Sequence, residues 1–379
     1  MDMKKLLLFM LAAALTFQAG AQEAKKGTID DVPYQGSYHP TYSSDGAAFV
    51  PKNIILMIGD GTGLGPIASG YYANNGELTY ANLKYMGWVT TQSATDFTTD
   101  SAASGTAYAT GQKTYNSSIG LDVNKRPIPN IPERVHEKGV ISGVVSTDDL
   151  NGATPAAFYS HQEDRGMTDE IWADMPGSVL RYFAAGSKEK FEKRPEATQK
   201  AIKKAFTVVN SLDDPACKTA DRLGVLPPAV ETGFIVKGRT DFLPRATRQA
   251  IDFLKAHANE GKGFFLMVEG ARIDKACHAN DFPSAVKELL DFDQAIAEAI
   301  KFADEDGSTL VIISADHETS GLQLWDGDPS KGHVEGVHIT GGHTPSPVPL
   351  FAYGPHAQDF MGFQGNEQVA QKILKLLLQ

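Results

Sequence analysis

The sequence predicts an α/β fold: a central, mostly parallel sheet with helices on both faces. Three observations lead there. Four short, largely apolar runs, Asn53–Ile58, Val140–Ser146, Gly263–Val268 and Thr309–Ile313, lack the polar alternation of a half-exposed strand and suit strands buried on both sides. Helical periodicity fills the intervals, at 101–111, 130–138, 243–258 and 283–303, and strands alternating with helices build a parallel sheet. Each run is followed by acidic, histidine or small polar residues, and the C-terminal ends of strands are where such sheets place their chemistry.

Ahead of this core, Lys4 and Lys5 precede the uncharged run Leu6–Phe17, and Ala19-Gly20-Ala21 supplies the small residues of a signal-peptidase site. Residues 1–21 are expected to be a cleavable signal peptide, because the run is short for a bilayer span and no cysteine follows it to take a lipid. The expected location is periplasmic or secreted, with no membrane span after cleavage. Residues 22–50, rich in Gly, Ser, Asp and Pro, are expected to form an irregular arm. Residues 51–379 are then expected to form a single domain, the catalytic one if the chain is an enzyme. Within it, 166–240 is charged, with Lys188, Lys190, Lys193, Arg194 and Lys200, and is expected to be a peripheral helical insertion with a solvated face.

Composition narrows the function. Of 379 residues, 42% are apolar and 21% charged, which excludes a disordered chain. The net charge of −11 argues against a nucleic-acid partner and against electrostatic binding to a membrane surface. An anionic substrate would need local positive charge from arginine or metal ions. Cys217 and Cys277 are the only cysteines; their spacing gives no zinc finger, and two free, buried thiols are expected.

Asp60, Glu269, Asp274, His278, Asp316, His317 and His343 all fall in loops after apolar runs. Any one alone is more often a cap or turn residue. Seven at four strand ends that a sheet brings to one edge suggest a metal centre, and carboxylates with imidazoles and no thiolate suit Zn²⁺ and partly Mg²⁺. Asp274 and His278 are four apart, so one helical turn places them on one side. Asp60-Gly-Thr-Gly-Leu-Gly65 does not fit the dinucleotide fingerprint, and no Walker lysine follows. In Thr99-Asp100-Ser101-Ala-Ala-Ser-Gly-Thr-Ala107, either residue of the Asp-Ser pair could merely cap a helix. Beside a metal centre, Ser101 is instead a candidate nucleophile at a helix N-terminus that favours an anion. No histidine base adjoins it in sequence, so a metal would have to lower its pKa.

Taken together, Asp60, Asp100-Ser101-Ala-Ala-Ser-Gly-Thr-Ala, Ala153-Thr154-Pro-Ala-Ala with Arg165, Glu269-Gly-Ala-Arg-Ile-Asp274-Lys-Ala-Cys-His278, Ser314-Ala-Asp316-His317-Glu-Thr and His343-Thr resemble the alkaline phosphatase family, over about residues 52–357. The resemblance implies two Zn²⁺ and one Mg²⁺. Asp274, His278 and His343 would hold the first zinc; Asp60, Asp316, His317 and Ser101 the second; Asp60, Thr154 and Glu269 the magnesium. Arg165 would grip two phosphate oxygens, held by Asp100, and Lys275 would reach the phosphate through water. The implied reaction is hydrolysis of small phosphomonoesters at alkaline pH through a phosphoserine, releasing phosphate and an alcohol. A homodimer is compatible with it, although the stretch between His317 and His343 is short. Sulfatases of the same superfamily need a C/S-x-P-x-R motif that is absent, and phosphodiesterase relatives usually lack the Thr154/Glu269 pair and the arginine. A non-catalytic phosphate- or metal-binding protein would not need the intact nucleophile. Gly152 departs from the pattern, since many relatives carry Asp or His there; Gly152→Asp is expected to tighten Mg²⁺ binding.

Overall fold

The computed structural model describes residues 24–379; the expected signal peptide, 1–21, lies outside the described residues. In chain order the strands are β1 (Lys25–Ile29), β2 (Asn53–Gly59), β3 (Tyr85–Thr90), β4 (Ile141–Ser146), β5 (Leu180–Ala184), β6 (Thr207–Val209), β7 (Leu223–Val225), β8 (Phe264–Gly270), β9 (Thr309–Ser314), β10 (Glu318–Thr319), β11 (Gln323–Asp328), β12 (His333–His338), β13 (His343–Thr344), β14 (Val348–Tyr353) and β15 (Gly362–Gly365). Ten of them form one sheet in the spatial order β15-β3-β14-β9-β2-β8-β4-β5-β7-β6. From β9 to β6 every neighbour is parallel; β14 runs antiparallel to both β9 and β3.

The four apolar runs are β2, β4, β8 and β9, side by side at the centre of this sheet. On β2, Ile54, Leu56 and Ile58 face one side while Ile55 and Met57 face the other, and all five are fully buried. Each contributes roughly 1.5–3 kcal/mol by leaving water. The helices Phe242–His257 and Phe282–Asp306 cover one face; Ser101–Thr110 and Asn366–Leu377 cover the other.

The helix Phe282–Asp306 starts where Asp281 accepts a hydrogen bond from the Ser284 amide at 3.2 Å, and stops at Gly307, at φ 69°. It runs past the expected end at 303. The polar turn Asp304–Asp306 continues it, and Asp304 is used outside the helix pattern: its carboxylate accepts from Tyr38, Thr41 and Tyr353, tying down the N-terminal arm.

Two expectations need correction. The arm 22–50 is not wholly irregular: β1 pairs antiparallel with β12, which also pairs with β11, in a separate three-stranded sheet. The short stretch between His317 and His343 supplies that hairpin. β1 reads Lys-Lys-Gly-Thr-Ile and has almost no apolar signal; a Cβ on Gly27 would come 2.4 Å from Phe282 Cβ, so glycine lets the strand lie on the long helix. Nor is 166–240 only helical. It contains β5, β6 and β7, which extend the main sheet by three parallel strands. β6 and β7 are three residues long, too short for any periodicity to show.

Cys217 and Cys277 are both buried and free. Among the described residues, no helix is long and apolar enough to cross a membrane.

Candidate active site

The C-terminal edge of β9-β2-β8-β4 gathers the candidate residues. Asp60 follows β2 and is turned by Gly61, at φ +70°. A Cβ on Gly61 would lie 2.8 Å from Asp274 Cα, so the glycine is what lets the β2 turn approach the helix Arg272–His278 that follows β8. That helix places Asp274 and His278 on one side, as their spacing predicts. Asp316 and His317 follow β9. His343 arrives last in the chain, held by the short β10/β13 pairing that sets Thr319 opposite it.

His278 donates from Nδ1 to the Gly341 carbonyl at 2.7 Å, and His343 donates from Nδ1 to the Thr99 carbonyl at 2.9 Å. In the neutral rings the proton is then on Nδ1, and two Nε2 lone pairs face each other at 3.0 Å. Asp274 Oδ1 lies 3.3 Å from His278 Nε2 and 3.6 Å from His343 Nε2. Three acceptors this close repel unless a cation joins them, and the edge of a tetrahedron with bonds of about 2.0–2.1 Å is about 3.3 Å. The neighbouring group is alike. His317 Nε2 lies 3.1 Å from Asp316 Oδ2, 3.5 Å from Asp60 Oδ1 and 3.2 Å from Ser101 Oγ. Asp60 Oδ1 and Asp316 Oδ2 are buried without any hydrogen-bond partner. Asp274, His317 and His343, and separately Asp60, Asp316 and His317, each bring one ligand atom within 4.8 Å of the others.

Ser101 opens the helix Ser101–Thr110, every residue of which is buried. Asp100 caps it through the Ala103 amide at 3.0 Å, so the capping role is real; its other oxygen accepts from the Ser117 amide at 3.0 Å and from Arg165 Nη1 at 3.2 Å. Arg165 thus pairs with Asp100, while Glu163 pairs with Lys125 and Asp164 accepts from the Gly166 amide. Although no histidine adjoins Ser101 in sequence, the fold sets His317 beside it.

Thr154 and Glu269 offer further oxygens. Thr154 Oγ1 is buried with no partner, and Glu269, at the end of β8, accepts from Ser146. Lys275 pairs with Asp148, a residue the sequence reading did not single out.

Electrostatics bind these groups together. Burial, then Asp316 and Asp274, push Asp60 well above the usual carboxylate range. Burial, then Asp148, push Glu269 up to about 8. Asp316 goes the other way: burial would raise it, but His317 outweighs that and holds it down, while the same pairing raises His317. Four buried carboxylates cannot all be charged in one small volume unless cations neutralise them. The orphaned oxygens and opposed imidazole lone pairs fit divalent cations.

The Alkaline phosphatase family model matches residues 51–193 and 237–331. The chain belongs to the alkaline phosphatase family. It is 35% identical over 304 residues to alkaline phosphatase 4 of Bacillus subtilis, covering 76% of this chain and 65% of that one. It is 28% identical to alkaline phosphatase 3 of the same organism, over 99% of this chain and 97% of that one. The structure of alkaline phosphatase from the Antarctic bacterium TAB5 superposes with a TM-score of 0.81 at 36% identity, over 87% of this chain and 99% of that chain. A variant of that enzyme carries Mg in its M3 site. Membership carries phosphomonoester hydrolysis, and the fold is the mixed α/β architecture of the family.

Three residues of this alkaline phosphatase site escaped the sequence reading. Thr319 Oγ1 donates to Asp274 Oδ1 at 2.6 Å and lies 3.2 Å from His317 Nδ1, linking the two imidazole groups. Ser146 holds Glu269. Asp148 lies two residues beyond the end of β4, so the strand-end rule that found Asp60 would have found it; the intervening Ser and Thr hid the signal. Ser146 and Thr319 carry no sequence signal of their own, because a hydroxyl on a strand is common.

Proposed function

We propose that Ser101 attacks the phosphorus of a small phosphate monoester, that the alcohol departs as the Ser101 Oγ–P bond forms, and that water then cleaves the phosphoserine to release inorganic phosphate. Two zinc ions would be held by Asp274, His278 and His343 and by Asp60, Asp316, His317 and Ser101; a magnesium would be held by Asp60, Thr154 and Glu269. When bound, these ions would polarise phosphate oxygens and ease loss of the hydroxyl and water protons. The closeness of Ser101 Oγ to His317 Nε2, at 3.2 Å within the Asp60/Asp316 group, is the observation that carries this reading.

The chain's own residues supply binding and orientation. Arg165 has one side-chain hydrogen bond among the described residues, to Asp100, so most of its guanidinium donors are available to two phosphate oxygens. Asp100 ties the arginine to the N-terminus of the helix that carries Ser101, which fixes the phosphate grip relative to the nucleophile. That helix terminus also favours the phosphate charge. Lys275 would reach the bound phosphate through water. Since serine and water must both lose protons, activity should rise into the alkaline range. Export with cleavage after Ala21 is part of this reading, and N-terminal sequencing of the mature protein checks it: the chain should begin at Gln22.

Metal analysis combined with acid-quenched phosphate labelling tests the whole. Expected are about two zinc and one magnesium per chain, and label on Ser101 that Ser101→Ala abolishes. Label retained in the variant would overturn the nucleophile.

A further inference from the structure

We infer that Asp148 is a positioning residue: it fixes the Lys275 ammonium beside the phosphate site and closes the outer side of the Thr154/Glu269 group, a place where position 152 has no side chain. The inference deepens the proposed function and rests on it. Asp148 uses each of its parts. Oδ1 accepts from Lys275 Nζ. Its amide donates to Ser146 Oγ at 2.8 Å, and Ser146 donates to Glu269 Oε2. A continuous polar chain therefore runs Lys275–Asp148–Ser146–Glu269. Oδ2 faces Gly152: a Cβ there would lie 2.7 Å from Oδ2 and 2.9 Å from the Asp149 carbonyl oxygen.

The two positions compete for one volume. Gly152 has φ −54°, which any residue adopts, so the backbone conformation does not demand glycine. Asp148 does. This argues against the expectation that Gly152→Asp would tighten Mg²⁺ binding: the new side chain would collide with Asp148 Oδ2 and with a backbone oxygen, and would displace the carboxylate already in place. The arrangement is held from both sides, since Arg272 Nε donates to the Thr147 carbonyl at 3.1 Å and the Gly186 amide donates to the Asp148 carbonyl at 2.7 Å. The Asp148 and Lys275 side chains are 17% and 35% exposed, so the pair is half-buried and only partly screened by solvent. Lys275 has three donors and gives one to Asp148, leaving the others for water or phosphate.

The experiment uses the zinc-loaded full chain and two calorimetric titrations, with Mg²⁺ and with inorganic phosphate, on wild type, Asp148→Asn, Asp148→Ala and Asp148→Ala/Gly152→Asp. Asp148→Ala should weaken both ligands by roughly ten- to a hundred-fold, the range for removing a partner that orients a ligand. Asp148→Asn keeps the shape and the acceptor and should fold as wild type; it should weaken phosphate less than alanine does. The double variant relieves the contact with Asp148 Oδ2 but not that with the Asp149 carbonyl, so it should recover at most part of the loss. Wild-type affinity for both ligands in Asp148→Ala overturns the inference. A wild-type chain that binds zinc but no Mg²⁺ overturns the third-cation reading instead, and Asp148 is then judged on phosphate alone: unchanged phosphate affinity refutes it, weakened affinity supports it.

Discussion

The imidazole-rich half of the site, built from the ends of β2 and β9, the helix Arg272–His278 and β13, and the oxygen-rich half, at the ends of β8 and β4, solve the same electrostatic problem differently. In the first, acceptors face one another: His278 and His343 oppose Nε2 atoms at 3.0 Å, and Asp60 Oδ1 and Asp316 Oδ2 have no partners. In the second, Glu269 takes Ser146, and Asp148 takes Lys275, so protein donors already answer part of the charge. The difference teaches that the first half offers unanswered acceptors suited to cations, whereas the second is organised largely by the chain's own donors.

The largest effect expected is on chemistry in the first half. Ser101→Ala should lower kcat by roughly 10³-fold or more, as for other enzymes that lose their nucleophile, while the three remaining proposed ligands, Asp60, Asp316 and His317, still hold the second zinc. Steady-state kinetics with an aryl phosphate, alongside metal analysis, checks it; a loss below tenfold would mean that attack comes from elsewhere.

Chelation should separate the halves next. Removing the cations should abolish activity, and Zn²⁺ with Mg²⁺ should restore it. Stability should respond with a definite pH dependence. Glu269, raised in the metal-free fold to about 8 from an ordinary 4.5, binds more protons folded than unfolded between those values. Its contribution is therefore fully present at low pH and is lost as pH rises toward 8. Asp293, raised by burial to about 6, acts in the same direction over a lower window in both forms of the protein. The melting-temperature gap between metal-loaded and metal-free protein should thus be wider at pH 8 than at pH 6; a gap that narrows would show that Glu269 is not neutralised by a cation.

A smaller, substrate-dependent effect is expected at Arg165, which lies outside both halves. Arg165→Ala should lower monoester kcat/KM by roughly 10- to 100-fold, since hydrogen bonds to charged groups contribute about 1.5–3 kcal/mol. A diester offers fewer charged oxygens to the fork and should lose less. Equal, slight losses on both substrates would leave Arg165 as a partner of Asp100 only.

The smallest effect should come from Thr319→Val, which removes the hydroxyl between Asp274 and His317 but none of the proposed ligands. Zinc affinity should fall by about tenfold, at the low end of the range for such partners, with little change in fold. Equilibrium dialysis against a zinc buffer reads this directly.

Much of this molecule was legible in its sequence, because the legible parts are local or periodic. A strand buried on both faces must be apolar throughout, so β2, β4, β8 and β9 declared themselves, and with them the edge where Asp60, Glu269 and His317 had to meet. A helical turn fixes the Asp274/His278 spacing without reference to the rest of the chain. What depends on long-range packing was silent. β1 exists because β12 and the long helix receive it, β6 and β7 because a sheet edge was open to them, and none has a pattern of its own. The contact between Ser101 and His317, 216 residues apart, and the exclusion of a side chain at Gly152 by Asp148 are likewise products of packing, since only the folded chain brings those atoms into one volume.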